Sequence, residues 1–180
     1  MISGPSGAGK GTLVTRVRER RSNLGLTVSA TTRAPRKGEV DGVNYFFLTR
    51  EEFDRRVANG EFVEWAEVHG NCYGTLVSEV TSKLASGSSL ILEIDVQGAL
   101  QVKERFPEAV LIFIKPPSLE VLRERLIGRG TETPETIELR MANAAHELAL
   151  ADRYDDVVVN DDLDRATDEL VRVLDMHERI

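Results

Sequence analysis

Short, nearly continuous apolar runs interrupt an otherwise polar chain at residues 90–96 (LILEIDV), 110–114 (VLIFI) and 157–159 (VVV). A strand with one wet face alternates apolar and polar residues, whereas unbroken runs rich in Ile and Val suit strands covered on both faces of a parallel sheet. Between and around these runs, segments 10–20, 75–85, 97–105, 119–127, 134–151 and 163–177 read as helices. In the last of them Leu163, Ala166, Leu170 and Leu174 fall on one helical face. Thr133 followed by Pro134 has the form of an N-cap and a proline at the first helical position, and Gly87 and Gly128 stand where helix-closing glycines belong. Strands alternating with helices predict an α/β fold around a central parallel sheet.

The stretch 26–65 breaks that rhythm. It is polar, basic at Arg33, Arg36 and Lys37, and offers strand-like pieces at 45–48 and 62–65. Between them Thr49-Arg50-Glu51-Glu52 has the spacing of a capping box, so a short helix is expected there. The stretch reads as an inserted β-rich subdomain. At the start of the chain the first strand is at most residues 1–3, shorter than strands usually run, which leaves open whether the native chain begins upstream.

Composition narrows the class. At 180 residues, with 41% hydrophobic and 29% charged positions, the chain suits one soluble globular domain. No run approaches the ~20 apolar residues of a bilayer span, and no secretion signal opens the chain. A single cysteine, Cys72, cannot form an internal disulfide, so a reducing, cytoplasmic setting is expected. Cys72 with His69, His146 and His177 lacks metal-ligand spacing. The formal net charge of −7 argues against coating a nucleic-acid backbone. Phosphate must then be bound locally, by few cations and backbone N–H groups.

The segment Gly4-Pro5-Ser6-Gly7-Ala8-Gly9-Lys10-Gly11-Thr12 contains G-x-x-x-x-G-K between a strand stub and a helix. Glycines let backbone N–H groups converge on a phosphate, the helix N-terminus adds positive potential, and Lys10 supplies a cation for the β- and γ-phosphates of ATP. The bare pattern arises by chance in roughly one chain in twenty of this length, so the strand–loop–helix context carries the assignment. Gly11 stands where the general motif has Ser or Thr, and the hydroxyl comes one residue later at Thr12. Direct Mg²⁺ coordination by Thr12 is thereby left open, with water and ATP oxygens as the alternative.

A second constellation follows. In Ser29-Ala30-Thr31-Thr32-Arg33-Ala34-Pro35-Arg36-Lys37-Gly38-Glu39, two arginines flank a proline and can aim planar forks at one phosphate. Further on come Gly60-Glu61-Phe62-Val63-Glu64-Trp65-Ala66, Gly70-Asn71-Cys72-Tyr73-Gly74-Thr75 and Leu92-Glu93-Ile94-Asp95-Val96-Gln97-Gly98. The last puts two carboxylates beyond a buried strand, where ligands of open α/β sheets collect.

In order and wording these segments resemble guanylate kinase, from Ser3 to about Asp162, with Gly130-Thr131-Glu132-Thr133 and Asn160-Asp161-Asp162-Leu163 also matching. The resemblance implies a P-loop NTPase-type parallel sheet flanked by helices, with core 1–28, 76–118 and 153–180, a GMP-binding subdomain 29–75 and a helical lid at about 119–152. It implies transfer of the γ-phosphoryl group of ATP to GMP, and to dGMP, in purine nucleotide metabolism, with Mg²⁺ as cofactor. Residues matching Arg33, Arg36, Tyr45 and Tyr73 hold the GMP phosphate, and Glu39 supports the arginines. Glu64 faces guanine, helped by Ser29, Thr75 and Asp95, while Glu93 sits on the Mg²⁺ side. Arg125, Arg129 and Arg140 reach the transferring phosphoryl, beside the catalytic Lys10 and Arg33. A carboxylate suits guanine because its N1–H and N2–H₂ are donors, whereas adenine presents an acceptor at N1. His69, Cys72, Met141 and the basic stretch 16–21 are expected to be bystanders. A phosphopeptide-binding scaffold is disfavoured by the intact Gly9-Lys10, a kinase for other monophosphates by Glu64, Ser29 and Thr75, and a P-loop GTPase by the lack of Asn-Lys-x-Asp.

Overall fold

The computed structural model describes residues 1–68, 70–85, 87, 89–128, 130 and 133–178. The chain begins with β1 (Ile2–Ser3) and α1 (Lys10–Arg20). It continues with β2 (Leu24–Leu26), β3 (Ala30–Thr31), β4 (Phe46–Phe47), α2 (Arg50–Ala58), β5 (Phe62–Val68), β6 (Asn71–Leu76), α3 (Val77–Leu84), β7 (Ser89–Ile91) and α4 (Val96–Arg105). It ends with β8 (Ile112–Lys115), α5 (Leu119–Gly128), α6 (Pro134–Leu148), a 3-10 turn (Ala151–Arg153), β9 (Asp156–Val159) and α7 (Leu163–Glu178). These elements form two compact units, Met1–Arg21 with Glu108–Ile180, and Ser22–Pro107.

In the first unit β1 pairs in parallel with β8 and β8 with β9, so that Ile2 lies opposite Ile112 and Phe113 opposite Val157. Ile2, Leu13, Val17, Ile112, Phe113, Ile114 and Leu170 are all buried. That is the pattern expected of parallel strands covered by helices. The basic stretch of α1 meets acids of α7: Arg16 pairs with Asp164, Arg20 with Asp168, and Arg21 with Asp175 and Glu178. Helices α5 and α6 share a small core of Leu122, Leu126, Ile137 and Ala144, with Met141 packed against it.

Several boundaries differ from expectation. Gly128 is the last helical residue of α5 rather than the glycine that closes it, while Gly130 has φ +64° and donates its N–H to Ile127 O at 3.0 Å. α6 ends at Leu148 and the chain tightens into the 3-10 turn. The buried face of α7 is Ala166, Thr167, Leu170 and Val173. Leu163 and Leu174 flank it, half-buried.

In the second unit β2 and β7 form a parallel pair, with Gly25 opposite Leu90. A separate sheet runs β4-β3-β6-β5, antiparallel except where β3 meets β4. Helix α2 is capped by Thr49, whose side chain accepts from Glu52 N at 3.1 Å. It buries Phe53 against Phe62, with ring centroids 4.5 Å apart, beside Ala30, Cys72 and Leu76. The apolar run 90–96 is strand only to Ile91, because the Asp95 carboxylate accepts from Gln97 N and Gly98 N and starts α4 at Val96. The helix expected from Thr75 begins at Val77, since Thr75 and Leu76 are held in β6 opposite Glu64 and Phe62.

Candidate functional site

The loop between β1 and α1, expected to cradle phosphate, is shaped by its own backbone. Gly9 caps α1 in a left-handed conformation (φ +91°), and a Cβ there would strike the Asn160 side-chain amide. Only glycine meets both conditions at no cost. Lys10 Nζ donates to Gly4 O at 2.6 Å and Pro5 O at 3.2 Å, which holds the ammonium over the loop at the helix N-terminus. A phosphate placed there meets a full positive charge and the positive end of the α1 dipole. Gly11 and Thr12 are exposed on the first turn of α1.

Three side chains brace this loop. Arg140 Nη1 donates to Ser6 Oγ at 2.5 Å, and Arg125 Nη2 donates to Asn160 O at 2.8 Å. Asn160, 5% exposed, donates its side-chain amide to Ala8 O at 2.7 Å. Sequence reasoning assigned Asn160 no role. Its only signal was membership of the Asn160-Asp161-Asp162-Leu163 segment. Of the cations expected at the phosphoryl group, Lys10, Arg125 and Arg140 are therefore at the cradle, and Arg129 lies outside the described residues.

The second unit brings together the expected acceptor-phosphate residues. Arg33 Nη2 donates to Glu39 Oε1 at 2.9 Å, and Arg36 N donates to Glu39 Oε2 at 2.6 Å, so one carboxylate fixes both arginine positions. These hydrogen bonds hold the Glu39 carboxyl below its ordinary pKa, and the bond to Glu39 is the main cause holding Arg33 above its own. The Arg33 guanidinium lies over the Tyr45 ring at 5.4 Å, and Tyr45 meets Tyr73 edge-on at 6.1 Å. Burial first, then Tyr73 and Glu93, raises the Tyr45 phenol, which stays a neutral donor. Arg36 itself is exposed, and Ser29 is half-buried, its carbonyl accepting from Phe46 N at 2.9 Å.

Glu64 is a carboxyl placed in the interior of the second unit. It is 2% exposed, and Thr75 Oγ1 donates to its Oε1 at 2.6 Å. Burial raises its carboxyl to about 7; the Thr75 hydrogen bond opposes that shift and the nearby Asp95 charge adds to it. A carboxylate hidden from water with Thr75 as its donor residue has spare lone pairs and a strong demand for donors. A ligand edge presenting N–H groups satisfies that demand.

Mg²⁺ is the metal implied by ATP chemistry. Among the described residues no group of three or more His, Cys, Asp or Glu side chains could hold a metal ion. Thr12 carries an exposed hydroxyl in the first unit, and Glu93 a half-buried carboxyl in the second. Lone oxygen donors of this kind fit an ion which arrives on nucleotide phosphates and keeps most of its waters.

Residues 1–177 match the family model described as Guanylate kinase. A guanylate kinase of Halalkalibacterium halodurans is 52% identical over 174 residues, covering 97% of this chain and 85% of that protein. One of Gloeobacter violaceus is 56% identical with the same coverage. A crystal structure of guanylate kinase from Anaplasma phagocytophilum superposes with a TM-score of 0.80 at 38% identity, covering 97% of this chain and 82% of that one.

Proposed function

Because the chain belongs to the guanylate kinase family, we propose that it moves the γ-phosphoryl group of ATP onto GMP or dGMP, giving ADP and the guanosine diphosphate, as a cytoplasmic enzyme of purine nucleotide metabolism. The observation that carries the choice of acceptor is the buried Glu64 carboxyl, which takes its hydrogen bonds from Thr75.

In this reading guanine N1–H and N2–H₂ donate to Glu64, with Thr75, Ser29 and Asp95 completing the base site. The aromatic and guanidinium donors of Tyr45, Tyr73, Arg33 and Arg36 hold the acceptor phosphate, and Glu39 keeps the arginines oriented. A phosphate monoester oxygen is already an anionic nucleophile at pH 7, so no general base is needed. The work left to the protein is in-line positioning and neutralisation of charge on the transferring group. Lys10 exchanges its loop carbonyls for β- and γ-phosphate oxygens. Arg125, Arg129 and Arg140 supply further positive charge, and donors braced as Arg125 and Arg140 are add no reorganisation at the moment of transfer. Thr12 and Glu93 are the side chains that would steer the hydrated Mg²⁺; when bound, that ion neutralises phosphate charge. Adenine would set its N1 acceptor against the Glu64 carboxylate and leave both unpaired, a mismatch able to discriminate by about 10⁴.

One coupled assay offering ATP and Mg²⁺ with GMP, dGMP, AMP, UMP or CMP tests the proposal. Turnover is expected with the two guanine nucleotides alone; comparable turnover of AMP or a pyrimidine nucleotide would overturn it.

A further inference from the structure

Glu64 lies on β5, and β5 ends its sheet, so one side of its backbone has no strand neighbour there. Helix α4 covers that side. Gln101 binds the Trp65 peptide at both ends, its Nε2 donating to Trp65 O at 2.8 Å and its Oε1 accepting from Trp65 N at 3.3 Å. One carboxamide thus replaces a missing strand for the residue that follows Glu64. Arg105 Nη1 donates to Val63 O at 2.6 Å and Phe62 O at 3.3 Å, the residues that precede it. Those carbonyls sit at a register shift in β5 between Phe62 and Glu64, where Val63 has no opposite number on β6. Such bulges redirect the side chains that follow them. Phe62, Val63 and Glu64 are accordingly all buried in succession, against the alternation of a regular strand.

The same helix face touches the carboxyl itself. A Cβ on Gly98 would collide with Glu64 Oε2. The Gly98 N–H is already taken by Asp95 Oδ1 at 3.0 Å, so α4 offers Glu64 closeness without a hydrogen bond. Positions 98, 101 and 105 are spaced by three and four residues and therefore share one face of the helix.

We propose that Gly98, Gln101 and Arg105 of α4 are positioning residues that aim the Glu64 carboxyl at the acceptor base: Arg105 fixes the bulge before it, Gln101 fixes the peptide after it, and Gly98 leaves the space its Oε2 occupies. The proposal rests on Glu64 reading guanine. The competing role is edge protection, since an uncovered strand edge invites unwanted pairing. Edge protection would stabilise the unit without depending on Glu64 or on the base.

A double-mutant cycle separates the two. KM for GMP and for ATP, with the urea midpoint, would be measured for Gln101→Ala, Arg105→Met, Arg105→Lys and Gly98→Ala, each alone and combined with Glu64→Gln. Displacing the carboxyl by a fraction of an ångström is expected to raise KM for GMP about tenfold and leave KM for ATP alone. In the Glu64→Gln background that rise should shrink to near nothing, because the shared route is already broken. Arg105→Lys should recover part of the loss. If Glu64→Gln raises KM for GMP while the α4 substitutions do not, the inference falls and the base assignment stands. If the α4 substitutions act equally in both backgrounds, their role is structural and the inference falls. If Glu64→Gln leaves KM for GMP unchanged, the base assignment fails and takes this inference with it. Should Arg105→Met or Gly98→Ala not fold, Gln101→Ala on the half-buried helix surface and Arg105→Lys give the same decision.

Discussion

Glu64 is a carboxyl buried from water, and its proton is the most direct handle on it. An ordinary glutamate titrates near 4.5, and burial lifts this one to about 7. The folded state therefore holds the proton more tightly than the unfolded chain. Stability from this group rises as pH falls from about 7 to about 4.5, by up to about 3 kcal/mol, and is lost as pH climbs through 7. Urea unfolding of the ligand-free protein at pH 5.5 and pH 8 should show about 2 kcal/mol of that difference, and Glu64→Gln should flatten it. Binding of GMP should respond in the opposite sense, weakening as pH drops below 7, because N–H donors need the carboxylate. None of this was legible beforehand. The resemblance named Glu64, but its burial arises from the bulge at Val63 and from Gly98, which only the folded chain brings next to it.

At the scale of elements, local chemistry was readable and long-range pairing was not. Helix α1 follows the predicted bounds 10–20, and α2 starts where the Thr49 cap says it should. Both are decided within a few residues of chain. Strand β6 (Asn-Cys-Tyr-Gly-Thr-Leu) carries no apolar alternation, and β3 is two residues long. Each is extended because of partners far along the chain, such as Gly74 opposite Ala30. Asn160 was missed for the same reason: its bond to Ala8 O spans 152 positions. Asn160→Ala would leave that carbonyl without its amide donor and loosen the cradle. The expected cost is about 1–3 kcal/mol of stability, with a severalfold rise in KM for ATP and little change for GMP. An unaltered KM for ATP at normal stability would remove Asn160 from the cradle's support.

For the whole molecule, a net charge of −7 leaves cations gathered in two places, around Lys10 and around Arg33. The cradle around Lys10 belongs to one compact unit, and the Glu64 site with Arg33 belongs to the other. The two binding functions should then be separable by mutation. Lys10→Met is expected to lower kcat at least about a hundredfold, the scale for one lost charge-stabilising donor, while equilibrium binding of GMP stays near normal by calorimetry. Loss of GMP binding in that variant would contradict the division. The loop around Lys10 and the arginine pair were legible because each lies in one short stretch of sequence. Glu64, Thr75 and Asp95 were named only through the family resemblance, and their grouping with Gly98 was not legible, because they meet only after β5, β6 and α4 have packed.

The most direct measurement is the ratio of kcat/KM for GMP to that for AMP, in the natural sequence and in Glu64→Gln. A buried carboxylate that reads guanine should give a ratio of about 10⁴ or more, and the substitution should collapse it by at least about a hundredfold. An unchanged ratio in the Glu64→Gln protein would contradict the account.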